Sequence, residues 1–126
     1  MRQFSFEKLN VWKRTKDFTI RLYQITQQFP DTEKFGLVSQ LRSAAVSISS
    51  NIAEGSSRKS AKEQARFYVI AFSSSIEVLN QSIISNELGF LDDENYKVLR
   101  EALEAITDML NRLHDSANNK PINQLT

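Results

Sequence analysis

Cysteine is absent from the 126-residue chain, and histidine occurs only once. The absence of cysteine excludes disulfides and thiolate metal sites. A single histidine, His114, is too few for the Glu-x-x-His pairs of di-iron four-helix bundles, so we expect no metal and no cofactor. The sequence also has no Gly-rich phosphate loop, and its serine-rich stretches have no partner base. These absences predict a protein without enzymatic activity.

Long apolar runs are missing as well. No apolar stretch approaches the ~20 residues that cross a bilayer, and Met1–Phe4 are not followed by the apolar region of a signal peptide. We therefore expect a cytoplasmic protein with no membrane partner. A chain of this length forms one domain that can bury a core without disulfides.

Glycine and proline are scarce, with three and two residues, and all five fall where a turn would help. Long helices joined by short loops fit this distribution. Apolar residues recur at helical spacing in four segments. Their seams are Val11, Phe18, Leu22, Ile25 and Phe29; Val38, Leu41, Ala45, Ile48 and Ile52; Val69, Phe72, Ile76, Leu79 and Ile83; and Tyr96, Leu99, Leu103, Ile106, Leu110 and Leu113.

The four seams predict helices at about 6–29, 33–54, 61–88 and 93–115, within a single domain of residues 1–116. Pro30 ends the first helix, Gly55 is expected as a left-handed C-cap, and Ser60 begins a capping box with Glu63. The polar tail, 117–126, is predicted to be flexible. Short loops between long helices imply antiparallel neighbours, so the fold class is all-α, an up-down-up-down antiparallel four-helix bundle.

The second helix carries almost only small side chains between residues 43 and 55. Small side chains let helices approach closely, so we expect this stretch to pack on more than one side, against the serines at 73–75. Polar groups beside it must then find partners. We interpret them as an internal hydrogen-bond network, with a polar ligand pocket as the alternative. The network is predicted to comprise Arg42, Ser47, Asn51, Glu54, Ser74 and Glu77.

Charge is segregated along the chain, although the net charge is only +1. Residues 1–70 carry twelve basic and six acidic side chains, whereas residues 71–126 carry four and nine. In the predicted topology, one end of the bundle has an excess of five basic residues and the other an excess of four acidic residues. The basic end could hold phosphates of RNA or DNA, with Trp12 and Phe4 as candidate stacking residues. The candidate nucleic-acid-binding residues are Lys13, Arg14, Arg58, Lys59, Lys62 and Arg66.

Three alternatives remain open for these features. The basic end could simply be a solvated surface. The protein could be an interaction scaffold whose acidic fourth helix or assembled form docks another, unknown protein. It could also bind a small ligand through Arg42, Asn51, Glu54 and Glu77, which would require a pocket of several hundred cubic ångströms.

Several motifs resemble the four-helix-bundle family of 23S rRNA intervening sequence proteins. They are Phe6-Glu-Lys-Leu-Asn-Val-Trp12, Phe29-Pro30, Glu33-Lys-Phe-Gly-Leu37, Gln40-Leu-Arg-Ser-Ala44, Ser47 and Asn51-Ile-Ala-Glu-Gly55, together with Phe67, Ala71, Ser74 and Glu77-Val-Leu79 of the third helix and the Tyr96–Leu113 heptad. The resemblance implies a small bacterial protein without established enzymatic activity that forms a homo-oligomeric ring, by similarity a pentamer. The family is similar to the accessory variability proteins of diversity-generating retroelements, whose basic pentamers bind nucleic acid and a reverse transcriptase.

Overall fold

The computed structural model describes residues 1–118, and the predicted tail residues after Asn118 lie outside them. Four helices follow one another, with 3-10 turns before the first two: α1 (Asn10–Thr26), α2 (Leu37–Ser56), α3 (Ala61–Glu87) and α4 (Asp93–Asn118), and the turns Ser5–Lys8 and Asp31–Glu33. Each helix contacts the preceding and following ones, and α1 also contacts α4. This closed square, with no strand in the described residues, confirms the all-α four-helix bundle.

Three of the four predicted seams form the core. Every seam residue of α1 and α2 is at most 6% exposed, and so are the four central residues of the α4 heptad. Tyr96 and Leu113, at the ends of that heptad, are partly buried. The helical spacing of large apolar residues therefore identified the inner faces of α1, α2 and α4 correctly.

The predicted inner face of α3 is only partly correct, because Phe72 and Leu79 pack against the core but the other three seam residues do not. Val69, Ile76 and Ile83 lie on the surface, where they are 49, 46 and 37% exposed. The fully buried side of α3 consists mainly of small residues, with the larger Tyr68 and Gln81 near its two ends: Ala65, Ala71, Ser74, Ser75, Val78, Ser82 and Ser85. Because the other three helices fill the core with large side chains, α3 fits only when it turns its small side inward.

Serines can be buried on α3 because their hydroxyls find acceptors on the same helix. Ser75 donates to the carbonyl of Ala71 at 3.0 Å, and Ser85 donates to that of Gln81 at 2.7 Å. Such bonds to the preceding turn satisfy the hydroxyl without a partner from another helix. The small face of α3 can therefore approach α2 and α4 closely.

The first two helices are shorter at their starts than predicted. Residues Ser5–Lys8 form a 3-10 turn, and Leu9 is extended, so α1 begins at Asn10 instead of residue 6 and ends at Thr26 instead of residue 29. The turn Asp31–Glu33 and the irregular Gly36 delay α2 to Leu37. In each case a local 3-10 turn replaces the predicted first helical turn.

Gly55 is not a left-handed cap. It lies inside α2, which continues to Ser56, and Gly89 is the only residue with positive φ among those described. A Cβ on Gly55 would come within 2.8 Å of Phe67 Cβ and of Tyr68 Cε1. Glycine is therefore required here by the close approach of α3.

The ends of α3 and α4 follow the sequence signals. Ser60 Oγ accepts a hydrogen bond from the Glu63 amide at 3.1 Å, and Asp92 accepts one from the Asn95 amide at 2.7 Å. Gly89 has φ +83° and turns the chain after α3. The fourth helix continues to Asn118 and buries Ala117, so the predicted flexible tail does not begin at residue 117.

One described helix, α3, is long and apolar enough by length and composition to cross a membrane. Packed core helices of soluble proteins pass the same test, and α3 packs against α2 and α4. Its apolar composition arises partly from the exposed valine and isoleucines on its outer side.

Candidate nucleic-acid interface

The chain segments expected at the basic end do meet there. A cavity of about 220 Å³ takes its walls from the N-terminal turn, the end of α2, the start of α3 and the end of α4. Together with the first turns of α1, which follow the N-terminal turn, these segments carry ten of the fifteen basic side chains in residues 1–118 and place them around a single end of the bundle.

The six candidate basic residues are exposed and free of acidic partners. None of them lies within 4.0 Å of a carboxylate in residues 1–118, whereas neighbouring Lys16 pairs with Asp17 at 3.9 Å. Unpaired, solvated cations are available to bind phosphates. The six are Lys13, Arg14, Arg58, Lys59, Lys62 and Arg66.

These six residues form two groups. Lys13 and Arg14 lie on α1, and the other four lie in the α2–α3 loop and the first turns of α3. Because α1 and α3 both contact α2 and α4, they occupy diagonal corners of the bundle. The two groups therefore share an end of the molecule without forming one continuous patch.

The α2–α3 loop holds the larger group, and its backbone is fixed by several contacts. Gln64 Nε2 donates to the carbonyl of Arg58 at 2.9 Å. The guanidinium of Arg58 lies 4.7 Å from the centre of the Phe67 ring, as in a cation–π contact. With Ser60 capping α3, this loop presents its cations in a defined position beside the exposed amides of the helix start.

Tyr68 lines the cavity. Its side chain is buried, and this burial raises the pKa of the phenol above its ordinary value. The ring fits beside Gly55 only because that residue has no Cβ. The glycine of the Asn51–Gly55 motif therefore sets the position of Tyr68 in the cavity wall.

The two candidate stacking residues differ in their surroundings. Trp12 is partly buried and meets the edge of Phe6 at a ring-centre distance of 5.0 Å. Phe4 is exposed and has the Arg2 guanidinium 5.2 Å from its ring centre. Trp12 is thus mainly a packing residue, while Phe4 remains accessible to a ligand.

The predicted polar network exists in part. Ser47 Oγ and Ser74 Oγ are 2.9 Å apart and join α2 to α3. Asn51 Nδ2 donates to both the carbonyl and the hydroxyl of Ser47, at 2.8 and 3.1 Å. These three residues form a hydrogen-bonded contact between the close-packed helices α2 and α3.

The other three predicted members are elsewhere, which corrects the proposed network. Arg42 faces α1, where it donates to Thr26 Oγ1 at 3.0 Å and to the Tyr23 carbonyl at 3.1 Å. Glu77 accepts a bond from Gln81 on its own helix at 3.4 Å, and the Glu54 side chain is exposed. Helical rotation separates these residues from Asn51, so they do not form the ligand site considered as an alternative.

The outer side of α3 is a surface that the sequence pattern did not reveal. Between Arg66 and Glu87, α3 carries one charged residue, Glu77, and exposes Val69, Ile70, Ile76, Ile83 and Ile84. We call these five residues the α3 outer face. The clue in the sequence was that α3 has two possible inner faces, one large and one small, and heptad spacing alone favours the large one.

No group of three or more acidic, histidine or cysteine side chains that could hold a metal ion occurs within residues 1–118.

Comparison with known proteins identifies the family. The family model described as "23S rRNA-intervening sequence protein" matches residues 7–112. No curated protein matched the chain. A solved structure, the 1.70 Å crystal structure of a protein with unknown function from the S23 ribosomal protein family of Bacteroides thetaiotaomicron VPI-5482, superposes with a TM-score of 0.75 at 18% identity, over 82% of this chain and 97% of that chain. At 18% sequence identity, this structural similarity supports the fold alone. The family match, over most of the sequence, confirms the resemblance: the chain belongs to the 23S rRNA-intervening sequence protein family.

Proposed function

We propose that the protein is a non-catalytic homo-oligomer that binds RNA or DNA through the basic end of its bundle. The observation that carries this proposal is the set of six exposed cations without acidic partners, gathered at one end of the described structure. The basic end also carries exposed carboxylates, among them Glu54 and Glu63, so its positive charge is an excess and not exclusive, whereas the acidic side chains at 87 and 92–94 lie at the opposite end. A local positive surface attracts a polyanion even when net charge is near zero.

Binding of this kind is electrostatic and depends on salt. Each neutralised phosphate contributes a slope of about −0.7 for single strands and −0.9 for B-DNA in log K against log salt. One protomer offers only a few such contacts, and salt screens them within ~10 Å. We therefore expect weak binding by a single subunit, which an assembly that repeats the basic end would strengthen.

The α3 outer face supports self-association. Beside it, the outer side of α2 carries Ser39, Ser43, Val46 and Ser50, with no charged residue between Arg42 and Glu54. A face of large apolar side chains can pack closely on a face of small ones. A second copy of this chain offers both, so the α3 outer face of one protomer is proposed to cover the α2 face of the next.

Such an interface joins two different surfaces, and repeated contacts of that type close into a ring when the rotation permits. All protomers of a ring point the same way along its axis. Their basic ends would then share one face of the assembly, as in the pentamer that the family resemblance implies. This arrangement would convert a modest charge per subunit into a continuous basic surface.

The nucleic-acid proposal is tested with a charge-reversal variant. Lys59→Glu, Lys62→Glu and Arg66→Glu are combined, and fluorescence anisotropy measures binding of a labelled RNA at increasing salt. We expect wild-type binding to weaken steeply with salt and the variant to lose it. The matched control combines Lys34→Glu, Lys97→Glu and Arg100→Glu, which makes the same change of net charge away from the basic end and should retain binding. No binding by the wild type at low salt would contradict the proposal.

The α3 outer face also favours a second candidate, a scaffold that binds another protein. Sedimentation analysis of the purified chain separates the two, because self-association predicts a mass several times 14.5 kDa. A monomeric mass, together with a protein partner whose capture survives nuclease and high salt, would favour the scaffold.

A further inference from the structure

The cavity at the basic end is too small for most small-molecule ligands but not too small for a single planar group. Its volume is about 220 Å³, below the roughly 300–1,000 Å³ typical of sites for drug-sized ligands. Because its walls come from four chain segments, its shape is set by the bundle and not by one loop.

The walls combine apolar and polar surfaces. Leu9 and Leu113 provide the apolar side, together with the ring of Tyr68. The polar side is the Ser116 hydroxyl and two acceptors, Ser56 Oγ and Gln64 Oε1, whose residues already donate to the carbonyls of Ala53 and Arg58. A nucleobase needs both, since it has flat apolar faces and a polar edge. The phenol of Tyr68 can donate or accept a hydrogen bond.

The cavity is physically connected to the basic loop. Gln64 lines the cavity and also donates to the carbonyl of Arg58 at 2.9 Å. Ser56 lines the cavity two residues before Arg58, and Lys59 and Lys62 follow. A nucleotide whose base entered the cavity would thus have its phosphates beside these exposed cations.

We propose that this cavity takes one unpaired nucleobase of a strand whose phosphates lie on Arg58, Lys59, Lys62 and Arg66. The inference rests on the proposed nucleic-acid binding and specifies its form. A base within a duplex must first be unpaired and unstacked, at a cost of a few kcal/mol. The protein should therefore prefer single-stranded loops and ends to duplex.

The test fills the cavity without changing charge. Ser116 is exposed at the cavity rim, and Ser116→Leu places apolar atoms where the base would lie. Asn111→Leu makes a similar polar-to-apolar change at an exposed position of α4 away from the lining and serves as the control. Binding is measured with one single-stranded RNA and with a duplex of the same sequence, and far-UV circular dichroism checks the fold.

We expect Ser116→Leu to weaken single-strand binding about tenfold, in keeping with the loss of one stacked base, while duplex binding and the salt slope stay unchanged. Tyr68→Phe, which keeps the ring, should cause a smaller loss. A 2-aminopurine base in the single strand should change its fluorescence on binding to wild type and not to Ser116→Leu.

The outcomes distinguish the nucleobase site from the nucleic-acid binding on which it depends. If Ser116→Leu binds the single strand like wild type while the Lys59, Lys62 and Arg66 reversal abolishes binding, the base site is wrong and the basic interface stands. Equal affinity of wild type for the single strand and the duplex would also overturn the base site. Absence of all binding at low salt would overturn both.

Discussion

Helices α3 and α4 are neighbours of nearly equal length, yet they are built in opposite ways. The fourth helix buries leucines and isoleucine and exposes charged side chains such as Lys97, Glu101 and Asp108. The third helix buries alanines and serines and exposes isoleucines and valine. Both helices fill their part of the bundle core. Only α4 has the charged outer surface that is expected of a helix whose outer side faces water.

This difference indicates what each outer surface is for. A contiguous exposed apolar face on a soluble protein normally marks an interaction site, whereas mixed charges keep a surface soluble. Because the inner side of α3 carries small side chains, the neighbouring helices fill most of the core there. The large apolar side chains of α3 lie on its outer face, where they can contact another molecule. The contrast predicts that substitutions on the two helices have separable effects on folding and on assembly.

The largest effect is expected for Ile76→Glu at the centre of the α3 outer face. Burying an unpaired charge in an interface costs roughly 3–5 kcal/mol, so the dissociation constant of the assembly should rise at least a hundredfold. Sedimentation analysis should show monomers with an unchanged helical circular dichroism spectrum. Val98→Glu is the matched control on α4, since Val98 is exposed to a similar degree. An unchanged assembly in Ile76→Glu would exclude this face as the interface.

A comparable loss, this time of folding stability, is expected from the α4 core. Leu103 is 1% exposed, and Leu103→Ala should lower the free energy of unfolding by roughly 2–5 kcal/mol through lost burial and the cavity it leaves. Ile83→Ala, on the α3 outer face, should cost far less in urea unfolding carried out at concentrations where the protein is monomeric. Equal losses in the two variants would mean that Ile83 belongs to the core after all.

The sequence predicted the fold but not the orientation of α3. Three helices followed the rule that large apolar residues at helical spacing face inward, and their seams were correct. On α3 the rule fails, because Val69, Ile76 and Ile83 have the same spacing as a core seam. Which face turns inward depends on the volume that the other helices leave, and no single helix pattern contains that information.

The sequence predicted which helix ends meet at the candidate site, but it did not predict which side chains there contact one another. Antiparallel topology was enough to bring the basic segments together and to put Lys13 and Lys62 on diagonal helices, but not to show which side chains pair with one another. Arg42 turns to α1 and Tyr23, away from Asn51, because about 100° of rotation per residue separates stripes that look adjacent in sequence. Gly55 was predicted to be a C-cap because the pattern of α2 alone does not show that Phe67 and Tyr68 of α3 pack against it.

Gly55→Ala tests how closely α2 and the small side of α3 approach. Alanine normally favours a helix by about 1 kcal/mol over glycine, but here its Cβ would come within 2.8 Å of Phe67 and Tyr68. We expect a net loss of about 1–3 kcal/mol in unfolding free energy. Ser50→Ala, exposed on the same helix, should change stability by at most about 0.5 kcal/mol. A stabilised Gly55→Ala protein would show that α2 and α3 are less tightly packed.

Ser82→Ala, on the inner face of α3, should raise the free energy of unfolding instead of lowering it. The Ser82 hydroxyl is buried and has no hydrogen-bond partner among the described residues. Removing a buried unsatisfied group should stabilise the protein by about 1 kcal/mol, as judged by urea unfolding. Ser75→Ala is the comparison, because the Ser75 hydroxyl is bonded to Ala71 and its loss should bring no such gain. Equal effects of the two changes would indicate that Ser82 is also satisfied.

The smallest effect is expected on the outer side of α4, where Glu101→Ala removes an ion pair. Lys97 Nζ and Glu101 Oε1 are 4.0 Å apart, and both side chains are mostly exposed. An exposed pair one helical turn apart contributes about 0.3–0.5 kcal/mol, and less when, as here, the lysine precedes the glutamate. The better helix propensity of alanine offsets part of this loss. Stability and assembly mass should therefore stay close to wild type, in contrast to Ile76→Glu on α3. A fall in assembly mass would show that the charged exterior of α4 also takes part in the interface, and that α3 and α4 differ less in role than in composition.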